Sequence, residues 1–416
     1  MSFFVVSSAV KILMVFTAIM VGVAMLTLAE RRICAWIQDR LGPNRVGPEG
    51  LLQPAADGLK NILKEETLPP HADRWLFLLA PTMSFVPALI AIAVVPFGTP
   101  FPTPWGEVPL VVADLPVGFL YILAFGSLGV YGIVLAGWSS NNKYALLGGL
   151  RASAQMISYE IALGMSTVAV LLVAGNVTLS DVVARQQVGA PFTWHVFPLT
   201  LAYFIFLIAA FAETNRLPFD LPEAEGELVA GYHTEYSAMK FSMFFIAEYS
   251  NMITASALVT TLFFGGWDIP FLAWDNAAPY TAWKSLATVG MFTLKVFFFL
   301  FLYIWVRWTL PRFRYDQLMA LGWQFLLPLA LCYVATIATA LWWLRTQLGW
   351  TYDTRFALAL FGMNIAILLP LVWVLDRGRI IRGTVAQPAT RNPQPATRNP
   401  QRATGNRQRG VEEGVG

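Results

Sequence analysis

Hydrophobic positions along the chain gather into long uncharged runs separated by short polar stretches, rather than forming one-sided stripes or strict alternation. A bilayer core of about 30 Å takes about 20 apolar residues per helix, so each such run reads as one membrane span. Nine candidates lie near 10–29, 76–97, 117–137, 157–175, 195–212, 241–263, 287–307, 321–343 and 356–375. The first is too long for a cleaved leader and ends in Glu30-Arg31-Arg32 without a small-residue cleavage site, so it reads as a retained span. One stretch is patterned differently. Residues 50–64 set Leu51, Leu52, Ala55, Leu59, Ile62 and Leu63 at helical spacing, which predicts an amphipathic interfacial helix. The expected fold class is all-α: a polytopic transmembrane helical bundle of about nine spans with that interfacial helix attached.

Composition agrees with the pattern. Of 416 residues, 56% are hydrophobic and 13% charged, and the mean hydropathy is +0.57, which excludes a soluble enzyme because one water-soluble core could not hide so much apolar surface. A net charge of only +3 gives no basic surface aimed at nucleic acid. The charge is unevenly placed. Loops after odd-numbered spans hold fourteen Lys and Arg against five on the other side, so the positive-inside rule puts the N-terminus outside and the tail inside. The tail repeats QPATRNP at 387–393 and 394–400 with little apolar content, and is expected to be disordered. The domain reading is a transmembrane unit over 1–383 and a repetitive tail over 384–416. The Pro-rich outer loop at 98–116 is assigned no role.

Candidate chemistry crowds the inner face. The loop at 212–236 carries Glu213, Asp220, Glu223, Glu225, Glu227 and Glu235 against Arg216 alone. So dense a set of acids beside apolar spans repels itself unless members are paired or protonated, so shared protons are expected. Glu248 and Lys295 lie inside otherwise apolar runs, where an unpaired charge costs several kcal/mol and each must pair, neutralise or face water. At 1.5 Å per residue each is about 12 Å from an opposite end of its span, so the two could meet in depth. Glu160, in ISYEIALG at the start of the fourth span, is a third intramembrane acid. On the amphipathic helix Asp57 and Lys60 are three apart and share a face on which they can pair. Bland readings stand beside these: a solvated acidic loop, snorkelling side chains and a helix lying on lipid.

Negative findings narrow the function. Cys34 and Cys332 form no metal cassette, and three histidines suggest no haem pair, so no bound metal is expected. No dinucleotide fingerprint, phosphate loop or nucleophile elbow occurs. Any redox chemistry must be borrowed from a partner.

The strings ERRICAWIQDRLGPNRVGPEGLLQPAADGLKNILKEE, ISYEIALG, AETNRLPFDLPEAEGELVAGYHTEYSAMKFSMFFIAEY and RWTLPRFRYDQLMALGWQFLLPLAL occur in that order. Together they resemble the H-subunit family of bacterial NADH-quinone oxidoreductase, respiratory complex I, over about residues 10–375. The resemblance implies an all-helical subunit of the bacterial inner membrane at the junction of the membrane and peripheral arms, forming much of a quinone chamber. It implies quinone as substrate, no cofactor on this chain, and FMN and Fe–S clusters in partner subunits. The implied partners are the peripheral-arm subunits of the quinone module, small membrane-arm subunits, quinone and lipid. Residue by residue, it assigns Glu30, Arg31, Asp57 and Lys60 to the quinone chamber or its entrance. Glu160, Glu213, Glu223, Glu225 and Glu248 fall in an acidic funnel for proton coupling, with Arg216, Asp220, Glu227 and Glu235 balancing the same loop. Lys295 receives no family role, and the tail departs from the family pattern.

Two other readings share part of this evidence. The equivalent subunit of a membrane-bound hydrogenase or ferredoxin-dependent complex has the same architecture without quinone. A stand-alone proton or sodium transporter would show an internal repeat with paired broken helices, and the two halves of the chain show no convincing self-similarity. A passive membrane scaffold would leave the carboxylate cluster unexplained.

Overall fold

The computed structural model describes residues 2–187, 192–220, 229–272, 274–275 and 278–376. Glu223, Glu225, Glu227 and the repetitive tail lie outside the described residues. All nine apolar runs are helical. In chain order they form α1 (Ser2–Ile37), α3 (Arg74–Ile90), α4 (Gly118–Ser139), α5 (Lys143–Ala174), α7 (Thr200–Glu213), α8 (Ala238–Phe263), α9 (Ala282–Thr309), α10 with α11 (Tyr315–Ala320 and Leu327–Thr346), and α12 (Thr354–Asp376). The amphipathic stretch is α2 (Gln53–Leu63), and a short helix, α6 (Leu179–Gln186), lies between α5 and α7.

Among the described residues seven of these helices are long and apolar enough to cross a membrane. The other two differ for separate reasons. Pro198 has no N–H to give a helix, and α7 begins only at Thr200, so its 14 residues span about 21 Å, short of a bilayer core. Helix α8 has 26 residues but carries Glu248, Ser250, Asn251, Thr254 and Ser256 along its middle. Those polar groups are tolerated because other helices, not lipid, surround them: Ser256, Thr260 and Thr261 are buried and each bonds the carbonyl four residues back.

Helix α5 is longer than its apolar run predicts. Asn142 caps its start by accepting from the Tyr144 N–H at 2.9 Å, and Gly175 ends it with φ +76°, a left-handed conformation that costs glycine little. Its 32 residues move Glu160 from the expected start of a span to the middle of a helix. Near the inner end of α5, Gly148 lies so close to Gly231 that a Cβ would meet its Cα at 2.7 Å. The loop that follows α7 therefore packs directly on α5. A π-helical turn, Leu321–Leu326, joins α10 to α11, where Trp323 Nε1 donates to Ser158 Oγ (2.8 Å) and Tyr159 Oη donates to Leu318 O (2.9 Å).

The connecting segments fall into two layers, as the alternating spans require. On one side Asp73 N bonds Ser139 O, Asn142 Nδ2 donates to Glu235 Oε1 at 2.7 Å, Thr67 meets Ser237, and Arg312 pairs with Asp220 at 3.0 Å. On the other, Lys11 Nζ donates to Val111 O, Gln186 Nε2 to Thr261 O and Tyr352 Oη to Thr193 O. The Pro-rich loop at 98–116, left without an element, holds an antiparallel hairpin, β1 (Gly98–Thr103) and β2 (Gly106–Leu110), docked on α9 through Thr99 and Thr288. This is the one departure from an all-helical architecture among the described residues. The main core joins α5, α7, α8, α9 and α11 around Tyr159, Phe206, Phe263 and Phe299.

Candidate functional site

The C-terminal end of α1 places Glu30, Arg31 and Cys34 on one face, and the C-terminal end of α9 places Arg307 and Trp308 opposite them. With Arg40, Gly42 and Pro43 from the following loop and Phe245 and Tyr249 from α8, they line a cavity of about 490 Å³. Glu30 is its buried acid. It pairs with Arg307, accepts the Tyr249 hydroxyl at 2.6 Å, and lies 3.5 Å from Arg216 Nη1. A buried carboxylate remains charged in apolar surroundings only with such partners.

Arg216 carries the network inward from that cavity. It follows α7, where Asn215 turns the chain with φ +51°, and its guanidinium lies over the Tyr249 ring at 4.2 Å. Its Nε is 2.7 Å from Glu248 Oε1, an ion pair in which the N–H is not aligned on the oxygen. Burial acts to lower the Arg216 pKa, but the charges of Glu248, Tyr249 and Glu30 outweigh it and hold the group above its ordinary value. It is a fixed positive charge between two acids.

Beyond it, Glu248 and Glu213 line one small cavity of about 30 Å³, together with Ser84, Gly129, Tyr232 and Asn251. That space is about one water's share of liquid volume, and it has polar groups on several sides. Glu213 in turn feels the charge of Glu160, whose Oε1 accepts the Ser127 hydroxyl. Four acids from four helices, Glu30, Glu248, Glu213 and Glu160, thus form a series starting at the 490 Å³ cavity. Elements far apart in sequence supply them, so each is positioned by helix packing rather than by a loop.

The remaining candidates have other places. Asp57 accepts from Arg31 at 2.7 Å and from Gln53 at 3.1 Å. The expected pairing with Lys60 is not made: Arg31 reaches Asp57 from α1, while Lys60 is exposed and forms no ion pair among the described residues. Asp220 pairs with Arg312, and burial pushes its carboxyl above the ordinary value against the pull of Arg312, Arg307 and Arg216. Glu235 is held by Asn142, in the inner layer. Lys295 does not approach Glu248, because its ammonium donates to the carbonyls of Phe264, Gly266 and Asp268 at the opposite end of the bundle. Sequence reasoning missed Tyr249, Arg307 and Arg312. The two arginines entered it only as topology charges, and Tyr249 had no signal beyond standing next to Glu248. Among the described residues no group of three or more His, Cys, Asp or Glu is placed to hold a metal ion.

A family profile described as NADH dehydrogenase matches residues 10–338. The chain belongs to that family. The H subunit of NADH-quinone oxidoreductase from Leptospira biflexa is 52% identical over 345 residues, which cover 80% of this chain and 95% of the relative. The second such H subunit of Koribacter versatilis is 50% identical over 347 residues, covering 80% and 97%. The first of Geobacter metallireducens is 53% identical over 321 residues, covering 77% and 92%. The expected membership of the H-subunit family is therefore met, and the matched region holds every candidate site residue. The relatives are named as subunits of an oxidoreductase, so this is a multi-pass membrane subunit of an enzyme complex of that kind.

Proposed function

We propose that this chain is the membrane subunit that shapes the quinone site of a proton-translocating NADH-quinone oxidoreductase and couples quinone reduction to proton movement. The observation that carries the reading is the unbroken series of buried acids beginning at the wall of the 490 Å³ cavity: Glu30, then Glu248 across Arg216, then Glu213 across a water-sized space, then Glu160.

The chemistry follows from electrostatics. A quinone that takes two electrons needs two protons to become the hydroquinone, and the electrons come from partner subunits that hold the FMN and Fe–S groups. Negative charge developing on a ring in the cavity opposes Glu30 and attracts Arg307 and Arg216. Arg216 is shared between Glu30 and Glu248, so a change at the first acid alters the proton affinity of the second. Glu213 and Glu160 then respond through the same low-dielectric interior. The layer bearing Asp57, Asp220 and Glu235 faces the cytoplasm and the peripheral-arm subunits, and the N-terminus lies in the periplasm. Lys60 is assigned with Asp57 to the entrance of the quinone chamber, and Glu223, Glu225 and Glu227, which lie outside the described residues, to the proton-coupling acids.

The test is Glu248→Gln or Glu213→Gln in the assembled complex in inverted membrane vesicles. NADH oxidation with a short-tailed quinone and the accompanying acidification are read together. Coupled pumping should fall by about a hundredfold or more, the low end of what one positioned proton-exchanging group contributes. Normal pumping at normal turnover would remove these acids from the coupling route. A complex that reduces no quinone, or evolves hydrogen instead, would favour the hydrogenase-type reading.

A further inference from the structure

A buried hydroxyl stands beside the third acid of the series. Tyr303 lies on α9 one turn before Arg307 and on the same face. Arg307 pairs with Glu30, and Tyr303 meets the end of α7, where its ring stacks on Phe211 with centroids 4.0 Å apart. Tyr303 is buried and its hydroxyl completes no hydrogen bond of good geometry. A phenylalanine would fill the same space without that cost, since a buried hydroxyl left unbonded is unfavourable and calls for a role. Three groups act on the hydroxyl: the Thr214 side chain beside it, the Glu213 carboxylate and the Arg216 charge. Thr214 and Glu213 also line the cavity of about 30 Å³ that separates Glu213 from Glu248.

The hydrogens of these groups are unequally committed. Thr214 turns its own hydrogen back to the helix, toward Ala210 O at 3.0 Å and Phe211 O at 3.2 Å, so toward Tyr303 it offers only lone pairs. An ionised Glu213 likewise only accepts, whereas a protonated Glu213 has a hydrogen to donate. Tyr303 thus has one hydrogen for two acceptors. When Glu213 is ionised, the hydrogen is drawn to the carboxylate, because the charge-assisted bond is the stronger. When Glu213 is protonated, the hydrogen turns to Thr214 and the phenol oxygen accepts from the acid. The exchange needs only rotation about the C–O bond, with the ring held by Phe211.

We infer that Tyr303 is a positioning residue for Glu213, a two-way hydrogen-bond switch whose hydroxyl follows the acid's proton between the Glu213 carboxylate and the Thr214 hydroxyl. This rests on the coupling role proposed for Glu213 and adds the group that sets the balance between its two forms. Among the described residues, the charged and titratable neighbours of Glu213 come from each element around it. Glu248 of α8 and Tyr232 of the loop after α7 share its small cavity, Glu160 of α5 acts through its charge, and Arg216 follows three residues on. Helix α4 brings only Gly126 against the carboxylate, whose Oε1 would lie 3.4 Å from a Cβ there.

The experiment reads protons moved per NADH oxidised against pH, with the intact complex in inverted vesicles. Tyr303→Phe takes the donor from ionised Glu213, and the profile should move to higher pH by about one unit, a tenfold change in proton affinity. Thr214→Val keeps the shape but removes the competing acceptor, so the hydroxyl stays on the carboxylate and the profile should move to lower pH. In the double variant, Thr214→Val should add nothing to Tyr303→Phe. A tyrosine that only fills space gives no such opposition, so unshifted profiles, or shifts of one sign, overturn the switch. Should Tyr303→Phe not assemble, Thr214→Val decides alone: a shift to lower pH supports the switch and its absence overturns it. Should neither assemble, the wild-type complex is grown with isotope-labelled tyrosine and its redox infrared difference spectrum is recorded. A tyrosine C–O–H band that Glu213→Gln abolishes is then expected, and its absence overturns the role. Coupling that survives Glu213→Gln, or a wild-type complex that moves no protons, overturns the underlying coupling reading instead, so the two failures are distinct.

Discussion

Arg216 places its Nε 2.7 Å from Glu248 Oε1 with only 6% of its side chain exposed, and the same guanidinium reaches Glu30 at 3.5 Å. Removing it leaves two buried acids short of counter-charge. Breaking one partner out of a buried pair costs about 3–5 kcal/mol, so Arg216→Gln should lower the thermal midpoint of the purified complex strongly. Adding Glu248→Gln to that variant should recover part of the loss, since one uncompensated acid is then gone. If the double variant melts no higher than the single one, the pair is not the source of the destabilisation.

The space between Glu213 and Glu248 makes a different prediction, about transfer rather than stability. Gly129 lines it, and a Cβ at that position meets nothing within 4 Å. Gly129→Ala therefore adds a methyl without a clash at the wall of the roughly 30 Å³ space that a water would use. Proton pumping per NADH oxidised should fall severalfold, because the water that would carry protons between the two acids is displaced, with the complex still assembled. Vesicle acidification measured beside NADH oxidation checks it. An unaltered ratio would mean that protons do not cross by this cavity.

How much of this was readable beforehand differs by element. The nine helices were legible because a membrane span is a matter of local composition, and Glu160 and Glu248 stood out as acids within apolar runs, whereas Glu30 was singled out only by the family resemblance. Pairing was not legible. Glu30 and Arg307 are 277 residues apart, and only the packing of α1 beside α9 joins them. Asp57 had two cations within helical or tertiary reach, and spacing alone favoured Lys60 over Arg31, which wins because α1 delivers it from outside the helix. The depth argument for Lys295 and Glu248 counted side chains only, so it could not register a lysine whose partners are backbone oxygens. The late start of α7 was hidden because residues 195–199 are apolar enough to extend the run, while Pro198 and the buried, backbone-bonded His195 hold the helix start back to Thr200.

His233 supplies a pH dependence outside the membrane spans. It packs between the rings of Tyr232 and Phe241, and burial pushes its pKa down from 6.5 to about 4. Between those values the unfolded chain binds a proton that the folded chain does not, so stability rises with pH across the window. The contribution is complete above about pH 6.5 and is lost as pH falls toward about 4. The thermal midpoint of the complex should decline on acidification from about pH 7 to about pH 5, and His233→Phe should flatten that decline. A slope identical in the variant would assign it to other groups.

Lys295 is expected to matter for the fold and not for coupling. Its ammonium donates to Phe264 O at 2.7 Å, Gly266 O at 3.0 Å and Asp268 O at 2.6 Å, and it sits 4.3 Å above the Trp194 ring. All three donors are taken by backbone oxygens, the buried carboxylates of Asp268 and Asp275 add their charge, and the turn after α8 is tied to α9. Lys295→Met removes the donors while keeping most of the apolar stem. Each buried carbonyl left unpaired costs about 1–3 kcal/mol, so the variant should unfold at a clearly lower temperature. Lys295→Arg should be only a partial substitute, because a planar fork cannot aim at three oxygens converging on one point. The acid series lies at the other end of the bundle, and whatever Lys295 variant assembles should keep its ratio of protons moved to NADH oxidised. A fall in that ratio in a complex of normal stability would show that this lysine takes part in proton transfer.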